Sequence, residues 1–306
     1  MIRSIKANST IGVITPAWVP HEERMKSGIQ YLEDKGYTVK IGKNVGKIHG
    51  YFAGTDEERA SDINEMFVDP EVDMIICARG GWGGLRLVDK LDYDQIRINP
   101  KLLVGYSDIT TLQLAIWKKI GIPSISGPMV AVEMGKGILP FTEQHFLDQL
   151  YNENPVYVFN YQESQTSVFK AGRGEGILLG GCLSLVSHLI GTPYMPDYSG
   201  AILFLEDIGE KPYKIDRYLA HLNQAGIFDQ INGLILGDFI DCGADENEVS
   251  FHLDEILDDY FREVSYPVIR NFPYGHGDIK FSMPVGVYTV LDTERDELRL
   301  ANPFFR

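Results

Sequence analysis

The sequence of 306 residues is short of cysteine and shows no spacing typical of a metal site. Its three cysteines, Cys77, Cys182 and Cys242, are odd in number and form no C-x-x-C motif. Both features argue against a disulfide framework and a thiolate zinc site, and they fit a reducing compartment. The seven histidines include no H-E-x-x-H motif, so we predict no metal site.

Positive charge and long apolar runs are also scarce. Lysine and arginine total 28 against 43 aspartates and glutamates, which gives a formal net charge of −15. Such a chain repels phosphate backbones and anionic lipids, so we expect neither nucleic acid nor a membrane surface as a partner; the alternative is that the acidic balance merely keeps the protein soluble. No apolar run approaches the roughly 20 residues that span a bilayer, and the first residues lack the apolar core of a secretory signal. We therefore expect a cytoplasmic protein.

Short apolar runs alternate with amphipathic patterns over the first 140 or so residues. This alternation predicts a doubly wound parallel sheet, and hence an α/β amino-terminal domain. The predicted strands are 11–15, 38–41, 74–78 and 102–106, and the predicted helices are 22–35, 56–67 and 109–120.

The alternation of strand and helix patterns stops in residues 141–170, which we interpret as an inter-domain connection. Beyond it, new short strands and one helix predict a smaller α+β carboxyl-terminal domain over 171–306. These strands are 175–179, 201–205, 233–236 and 287–291, and the helix is 213–225. The predicted domains are thus 1–140 and 171–306.

Ser107 lies where a predicted buried strand ends and a helix begins, in the stretch LLVGYSDIT. A serine at such a turn projects outward, Gly105 relieves crowding behind it, and the Asp108 N–H can donate to a developing oxyanion. The alternative is that Ser107 or Asp108 only caps the helix. Ile109 occupies the position where the ordinary hydrolase elbow has glycine, which disfavours an α/β-hydrolase.

A glycine-rich loop, RGGWGG, follows the predicted strand 74–78. Ligands of open α/β sheets bind at such carboxyl ends of strands, and glycines allow a close approach of the backbone. The spacing matches neither the P-loop nor the dinucleotide motif, which argues against phosphate binding. With Arg79 and Trp82 beside it, the loop predicts a backbone N–H donor site, and a tight turn without function is the alternative.

Glu206 directly follows an apolar strand, and His276 lies between glycines in the loop PYGHGD. Taken alone, Glu206 fits a surface residue or a cap, and His276 fits a structural residue of a turn. Together with Ser107 they supply a nucleophile, a base and an orienting acid without metal or cofactor.

Seven stretches of the sequence resemble the LD-carboxypeptidases and follow one another in the order typical of that family. This serine peptidase family includes muramoyltetrapeptide carboxypeptidases and microcin C self-immunity peptidases. The resemblance covers nearly the whole chain and rests on IGVITP, CARGGWGG, LLVGYSDIT, SGPMV, GGCLSLV, FLEDIGEKPYKIDRYL and GHGDIKFSMPVG. It implies a catalytic cleft between two domains and commonly a homodimer.

The resemblance assigns the catalytic serine, glutamate and histidine of the family to Ser107, Glu206 and His276. It assigns the oxyanion hole to the backbone N–H groups of Gly81 and Asp108. We add Arg79 and Trp82 as substrate-binding candidates, because a guanidinium pairs bidentately with a terminal carboxylate and an aromatic ring can line a ligand site.

Three positions depart from the family pattern: Ala17 stands where serine is common, Ser126 where histidine is common and Cys182 where asparagine is common. These departures concern the substrate, not the triad. The expected reaction is hydrolysis of the amide bond before a C-terminal D-amino acid of a small peptidoglycan-derived tetrapeptide. The alternatives are an immunity peptidase that cleaves a peptidyl or aminoacyl nucleotide, and a two-domain module that binds a peptide or sugar without cleaving it.

Overall fold

The computed structural model describes residues 2–162, 164–245 and 248–302. The chain folds into two compact units, and it passes from one to the other more than once. The first unit comprises residues 2–155, Phe281–Gly286 and Asn302, and the second comprises Val156–Lys280 and Val287–Ala301. Each unit has its own sheet.

The helices alternate with strands along the first half of the chain, as the sequence predicts. The helices are α1 (Glu22–Asp34), α2 (Asp56–Val68), α3 (Tyr93–Ile98), α4 (Ile109–Ile120), α5 (Pro140–Tyr151), α6 (Leu183–Leu189), α7 (Pro212–Gln224) and α8 (Leu253–Phe261). The strands are β1 (Thr10–Ile14), β2 (Thr38–Ile41), β3 (Met74–Cys77), β4 (Leu102–Val104), β5 (Ser124–Ser126), β6 (Val156–Asn160), β7 (Ser167–Lys170), β8 (Arg173–Cys182), β9 (Ile202–Ile208), β10 (Gly233–Ile240), β11 (Val268–Arg270), β12 (Met283–Val285), β13 (Tyr288–Asp292) and β14 (Glu297–Ala301).

The sheet of the first unit has the strand order β12-β5-β4-β3-β1-β2. Its pairs from β2 to β5 are parallel, and β12 adds to the edge in the antiparallel sense. The central strands β3 and β4 are buried over their whole length, which explains their continuous apolar sequences. The predicted α/β parallel-sheet fold of the amino-terminal part is confirmed.

The sheet of the second unit has the order β6-β14-β13-β8-β9-β10-β11-β7. Its centre, β8 to β11, is parallel, and antiparallel strands extend it on both sides. This mixed sheet with helices α6 to α8 agrees with the α+β class predicted for the carboxyl-terminal part. The carboxyl ends of β8 and β9 meet at Cys182 and Glu206, which are paired in register.

Residues 141–170, predicted as an inter-domain connection, contain most of α5 together with β6 and β7. The sequence does not predict β6 and β7, because both are edge strands whose side chains are mostly exposed or half-buried and therefore form no apolar run. The strand β12 is hidden for another reason, because it is short and its partner β5 lies far away in the sequence. Within the described ranges, no helix is both long and apolar enough to cross a membrane.

Gly28 lets α1 pack closely on the π-helical turn Val130–Met134, since a Cβ atom there would lie 1.9 Å from the Val130 carbonyl oxygen. We predict that Gly28→Ala lowers the free energy of unfolding by about 1–3 kcal/mol, as overpacking does. At an exposed helical position the same change would stabilise the helix by about 1 kcal/mol. Urea unfolding measures the difference in the free energy of unfolding between wild type and Gly28→Ala. Ser27→Ala, on the exposed face of α1, is the control. A Gly28→Ala protein as stable as wild type would contradict this packing.

Candidate active site

Ser107 occupies a tight turn between β4 and α4. Its φ angle of 62° is one that residues other than glycine seldom adopt, and such strain is typical of a nucleophile turn. A Cβ atom on Gly105 would lie 3.0 Å from Ile109 Cγ1, so the crowding expected behind the turn is present. The serine side chain is half-buried.

Asp108 follows as the N-cap residue of α4, yet its side chain makes no capping hydrogen bond to the helix. Instead Oδ2 accepts a hydrogen bond of 2.7 Å from the backbone N–H of Gly84. The interpretation of Asp108 as a simple helix cap is therefore wrong. Burial raises the pKa of this carboxyl to about 6, although the Gly84 N–H and the charge of Arg59 act in the opposite direction.

The glycine-rich loop passes directly over this turn. A Cβ atom on Gly80 would lie 2.9 Å from Ser107 Cβ and 3.3 Å from the Asp108 nitrogen. The next residue, Gly81, has a φ of 118° and packs against the ring of Trp18. The backbone of the loop thus approaches both Ser107 and the first N–H groups of α4, as the predicted backbone donor site requires.

Arg79 precedes the loop and is held in place by two contacts. Its Nη1 donates to the Val19 carbonyl oxygen at 3.1 Å, and its guanidinium lies over the Trp18 ring at 5.6 Å from the centroid. One guanidinium has five N–H donors, so this bond leaves donors for a ligand. Trp82, the other predicted binding residue, is half-buried in the loop itself.

Glu206 and His276, the predicted acid and base, are hydrogen-bonded to each other in the second unit. His276 Nδ1 and Glu206 Oε2 are 2.7 Å apart, and Glu206 is fully buried while 13% of the histidine side chain is exposed. The strand β9 continues past Leu205 to Ile208, so Glu206 lies within a strand and not beyond its end. The interpretation of Glu206 as a surface residue or cap is therefore wrong.

Two charged residues that the sequence analysis missed hold the histidine loop. Lys280, which is fully buried, donates from Nζ to the Gly275 carbonyl oxygen. Asp238 accepts a hydrogen bond from the backbone N–H of Gly277, on the other side of His276. Burial raises the pKa of Asp238 to about 6, opposed by the Lys280 charge. Lys280 lies just after PYGHGD in the sequence, whereas Asp238 lies well before it, in β10, and the pattern does not reveal that either side chain contacts the loop.

The predicted site residues fall into two sets, one in each unit. Gly81, Ser107 and Asp108 lie in the first unit, with Arg79 and Trp82 in the same loop region, and Glu206 and His276 lie in the second unit. Their catalytic and binding roles stay predictions.

Comparison with known proteins identifies the family. Residues 11–127 match the LD-carboxypeptidase N-terminal domain, and residues 175–291 match the LD-carboxypeptidase C-terminal domain. The chain belongs to the LD-carboxypeptidase family. The resemblance read from the seven sequence stretches is thereby confirmed.

Individual LD-carboxypeptidase relatives resemble the chain over nearly its whole length. A probable murein peptide carboxypeptidase of Bacillus subtilis is 36% identical, over 95% of this chain and 91% of the relative. The crystal structure of a muramoyltetrapeptide carboxypeptidase from Oxalobacter formigenes has a TM-score of 0.84 and 33% identity, covering 95% of this chain and 98% of that one. The microcin self-immunity protein MccF of Escherichia coli is 28% identical, over 98% and 95% of the two chains.

In this member of the family, Asp207 adds a second buried carboxyl beside Glu206. Its Oδ2 accepts from the Ser184 N–H at 2.8 Å and its Oδ1 accepts from the Ile208 N–H at 2.9 Å. Burial raises its pKa to about 6, and the charge of Glu206 adds to the increase. Because the folded protein binds this proton more tightly than the unfolded chain, the resulting stability is present below about pH 4 and is lost as the pH rises through about 6.

We predict that Asp207→Asn removes this pH dependence. The stability of the variant relative to wild type should increase by up to about 3 kcal/mol between about pH 4 and pH 7, because one pKa unit corresponds to about 1.4 kcal/mol. Urea unfolding at several pH values measures the free energy of unfolding of both proteins. Asp69→Asn is the control with the opposite sign, since the hydrogen bond from Lys40 lowers the pKa of Asp69. A difference that does not change with pH would contradict the raised pKa.

Proposed function

We propose that the protein is a serine carboxypeptidase that removes the C-terminal D-amino acid from peptidoglycan-derived tetrapeptides by cleaving an L,D amide bond. Ser107 is the nucleophile, His276 the general base and Glu206 the orienting acid. The proposal includes the expectations that the enzyme works in the cytoplasm as a homodimer, without a cofactor.

One observation carries the catalytic part of this proposal. A fully buried carboxylate, Glu206, is hydrogen-bonded at 2.7 Å to the Nδ1 of a partly exposed histidine. A buried charge is costly unless it is paired, and this pairing fixes the tautomer in which His276 carries its proton on Nδ1. Nε2 is then the basic nitrogen, as a triad requires.

The mechanism follows from these roles. Ser107 Oγ attacks the carbonyl carbon before the terminal residue while His276 Nε2 takes its proton, and the positive charge that forms on the ring is stabilised by Glu206. The Gly81 and Asp108 N–H groups stabilise the oxyanion, and loss of one such donor costs about 2.7–4 kcal/mol in comparable sites.

Collapse of the tetrahedral intermediate breaks the C–N bond. His276 returns the proton to the leaving amine, which departs as the free D-amino acid and leaves an acyl-enzyme on Ser107. Water, deprotonated by the same nitrogen, then attacks the ester and releases the shortened peptide. The reaction requires that Ser107 Oγ come within hydrogen-bonding distance of His276 Nε2.

The substrate is inferred from the relatives. The probable murein peptide carboxypeptidase and the muramoyltetrapeptide carboxypeptidase are 36% and 33% identical to this chain, whereas the microcin self-immunity protein is 28% identical. This order favours a tetrapeptide over a peptidyl or aminoacyl nucleotide. The immunity reaction uses the same chemistry, so it is the second candidate.

We predict that wild-type protein removes one alanine from a muropeptide tetrapeptide ending in D-Ala and that Ser107→Ala lowers this rate about 10⁴-fold or more, because the nucleophile is lost. Mass spectrometry detects the loss of alanine. Ser124→Ala, which alters a buried serine of β5 in the same unit, is the matched control and should keep full activity.

A serine-directed phosphonate separates the candidate functions. Labelling of wild type but not of Ser107→Ala supports an enzyme, and tight tetrapeptide binding without labelling or turnover would instead support a binding module. Cleavage of an aminoacyl nucleotide with no cleavage of the tetrapeptide would move the assignment to the immunity reaction.

Arg79 is proposed to bind the terminal carboxylate of the substrate. Hydrogen bonds to charged groups contribute about 1.5–3 kcal/mol, so Arg79→Ala should raise KM for the tetrapeptide about 10- to 100-fold. The same substrate with an amidated C-terminus should show little change between the two proteins, which isolates the carboxylate. Arg86→Ala, at an exposed arginine that pairs with Asp56, is the control. Unchanged kinetics in Arg79→Ala would remove Arg79 from the site.

A further inference from the structure

The glycine-rich loop and the nucleophile turn pack closely against each other at two points. At one point, a Cβ atom on Gly80 would lie 2.9 Å from Ser107 Cβ. At the other, a Cβ atom on Gly84 would lie 2.9 Å from the Asp108 carbonyl oxygen and 3.0 Å from its Oδ2. Gly81, the proposed oxyanion donor, lies between these two contacts. Its position therefore depends on how both ends of the loop are held.

The carboxylate of Asp108 holds the far end of the loop. Asp108 is 1% exposed, and its Oδ2 accepts the hydrogen bond from the Gly84 N–H at 2.7 Å. Within the described residues, Oδ1 has no hydrogen-bond partner. The backbone N–H of Gly83 also interacts with this carboxyl. A buried carboxylate with one oxygen left without a hydrogen bond is costly for the fold, and both N–H groups that approach it belong to the glycine-rich loop.

Arg59 holds the same peptide group from the other side. This arginine is also 1% exposed, and its Nη1 donates to the carbonyl oxygens of Pro16 at 2.5 Å and Gly83 at 3.3 Å. The Gly83 carbonyl and the Gly84 N–H belong to one peptide unit. Two buried side chains of opposite charge therefore fix both polar groups of a single peptide bond in the loop.

We propose that the Asp108 side chain is a positioning residue for the oxyanion hole. By holding the Gly83–Gly84 peptide together with Arg59, it fixes the Gly81 N–H relative to Ser107 and to its own backbone N–H. Glycines are the most flexible residues, and oxyanion donors act only when they are preorganised at about 2.7–3.1 Å, so a loop with four glycines needs such an anchor. The inference rests on the proposed function.

The test compares Asp108→Ala and Asp108→Asn with wild type in three measurements. These are the rate of Ser107 labelling by a serine-directed phosphonate, kcat on the tetrapeptide, and the Kd of the intact tetrapeptide in a Ser107→Ala background. We expect Asp108→Ala to slow labelling and lower kcat about 100-fold while Kd changes less than about threefold, because only the developing oxyanion uses the donors.

Asp108→Asn is expected to slow labelling about tenfold. The amide oxygen still accepts from the Gly84 N–H, but a neutral acceptor bonds more weakly than a charged one. This variant decides the matter if Asp108→Ala does not fold. A labelling rate within twofold of wild type in either folded variant overturns the proposal.

Asp62→Ala is the matched control. Asp62 is 3% exposed, lies on α2, and accepts from the backbone and side-chain nitrogens of Asn44 at 3.2 and 2.8 Å. Its removal should lower thermal stability but leave the labelling rate and kcat of the folded fraction unchanged. An equal loss of labelling in Asp62→Ala and Asp108→Ala would assign Asp108 a general structural role and overturn the proposal.

The outcome also separates this inference from the proposed function. If wild type is labelled at Ser107 but does not cleave the tetrapeptide, the substrate assignment fails and the labelling rates still test Asp108. If wild type is neither labelled nor active, the serine mechanism fails and the role of Asp108 fails with it.

Discussion

The hydrogen bond between Glu206 and His276 is the interaction on which the proposed chemistry of the second unit depends. A carboxylate in the interior of a sheet loses its hydration, and the 2.7 Å bond to Nδ1 replaces part of that loss. The same charge also acts on its neighbours, because it adds to the burial that raises the pKa values of Asp207 and Asp238. Lys280 supplies the opposing positive charge to this acidic group of side chains.

The two halves of the proposed machinery are built by different means. The turn at Ser107 relies on backbone geometry, namely a positive φ angle and glycines that admit a second backbone at van der Waals distance. The base relies on side-chain electrostatics, with the histidine loop held through Gly275 by Lys280 and through Gly277 by Asp238. The contacts described for each half lie within a single unit.

The sequence predicts those parts of the fold that local chemistry determines. Helix α4 was predicted with its observed bounds, because its apolar periodicity stops at Gly121, which adopts the left-handed conformation expected at a helix end. β12 could not be found this way, since pairing with β5 brings together positions about 160 residues apart. The end of β9 was misplaced because Glu206 and Asp207 look like solvent-facing residues until the fold supplies His276 and the Ser184 N–H.

The sequence also does not reveal what surrounds the three residues that depart from the family pattern. Ala17 and Ser126 are fully buried and Cys182 is 4% exposed, so these side chains belong to the interior of their units. Cys182 shows how such a position can still influence the site, because its Sγ lies 3.4 Å from Asp207 Oδ1, next to Glu206 in the strand. An asparagine there would offer a stronger donor than a thiol and would favour the ionised form of Asp207. A change at position 182 therefore reaches the acid of the proposed triad through the charge of its neighbour.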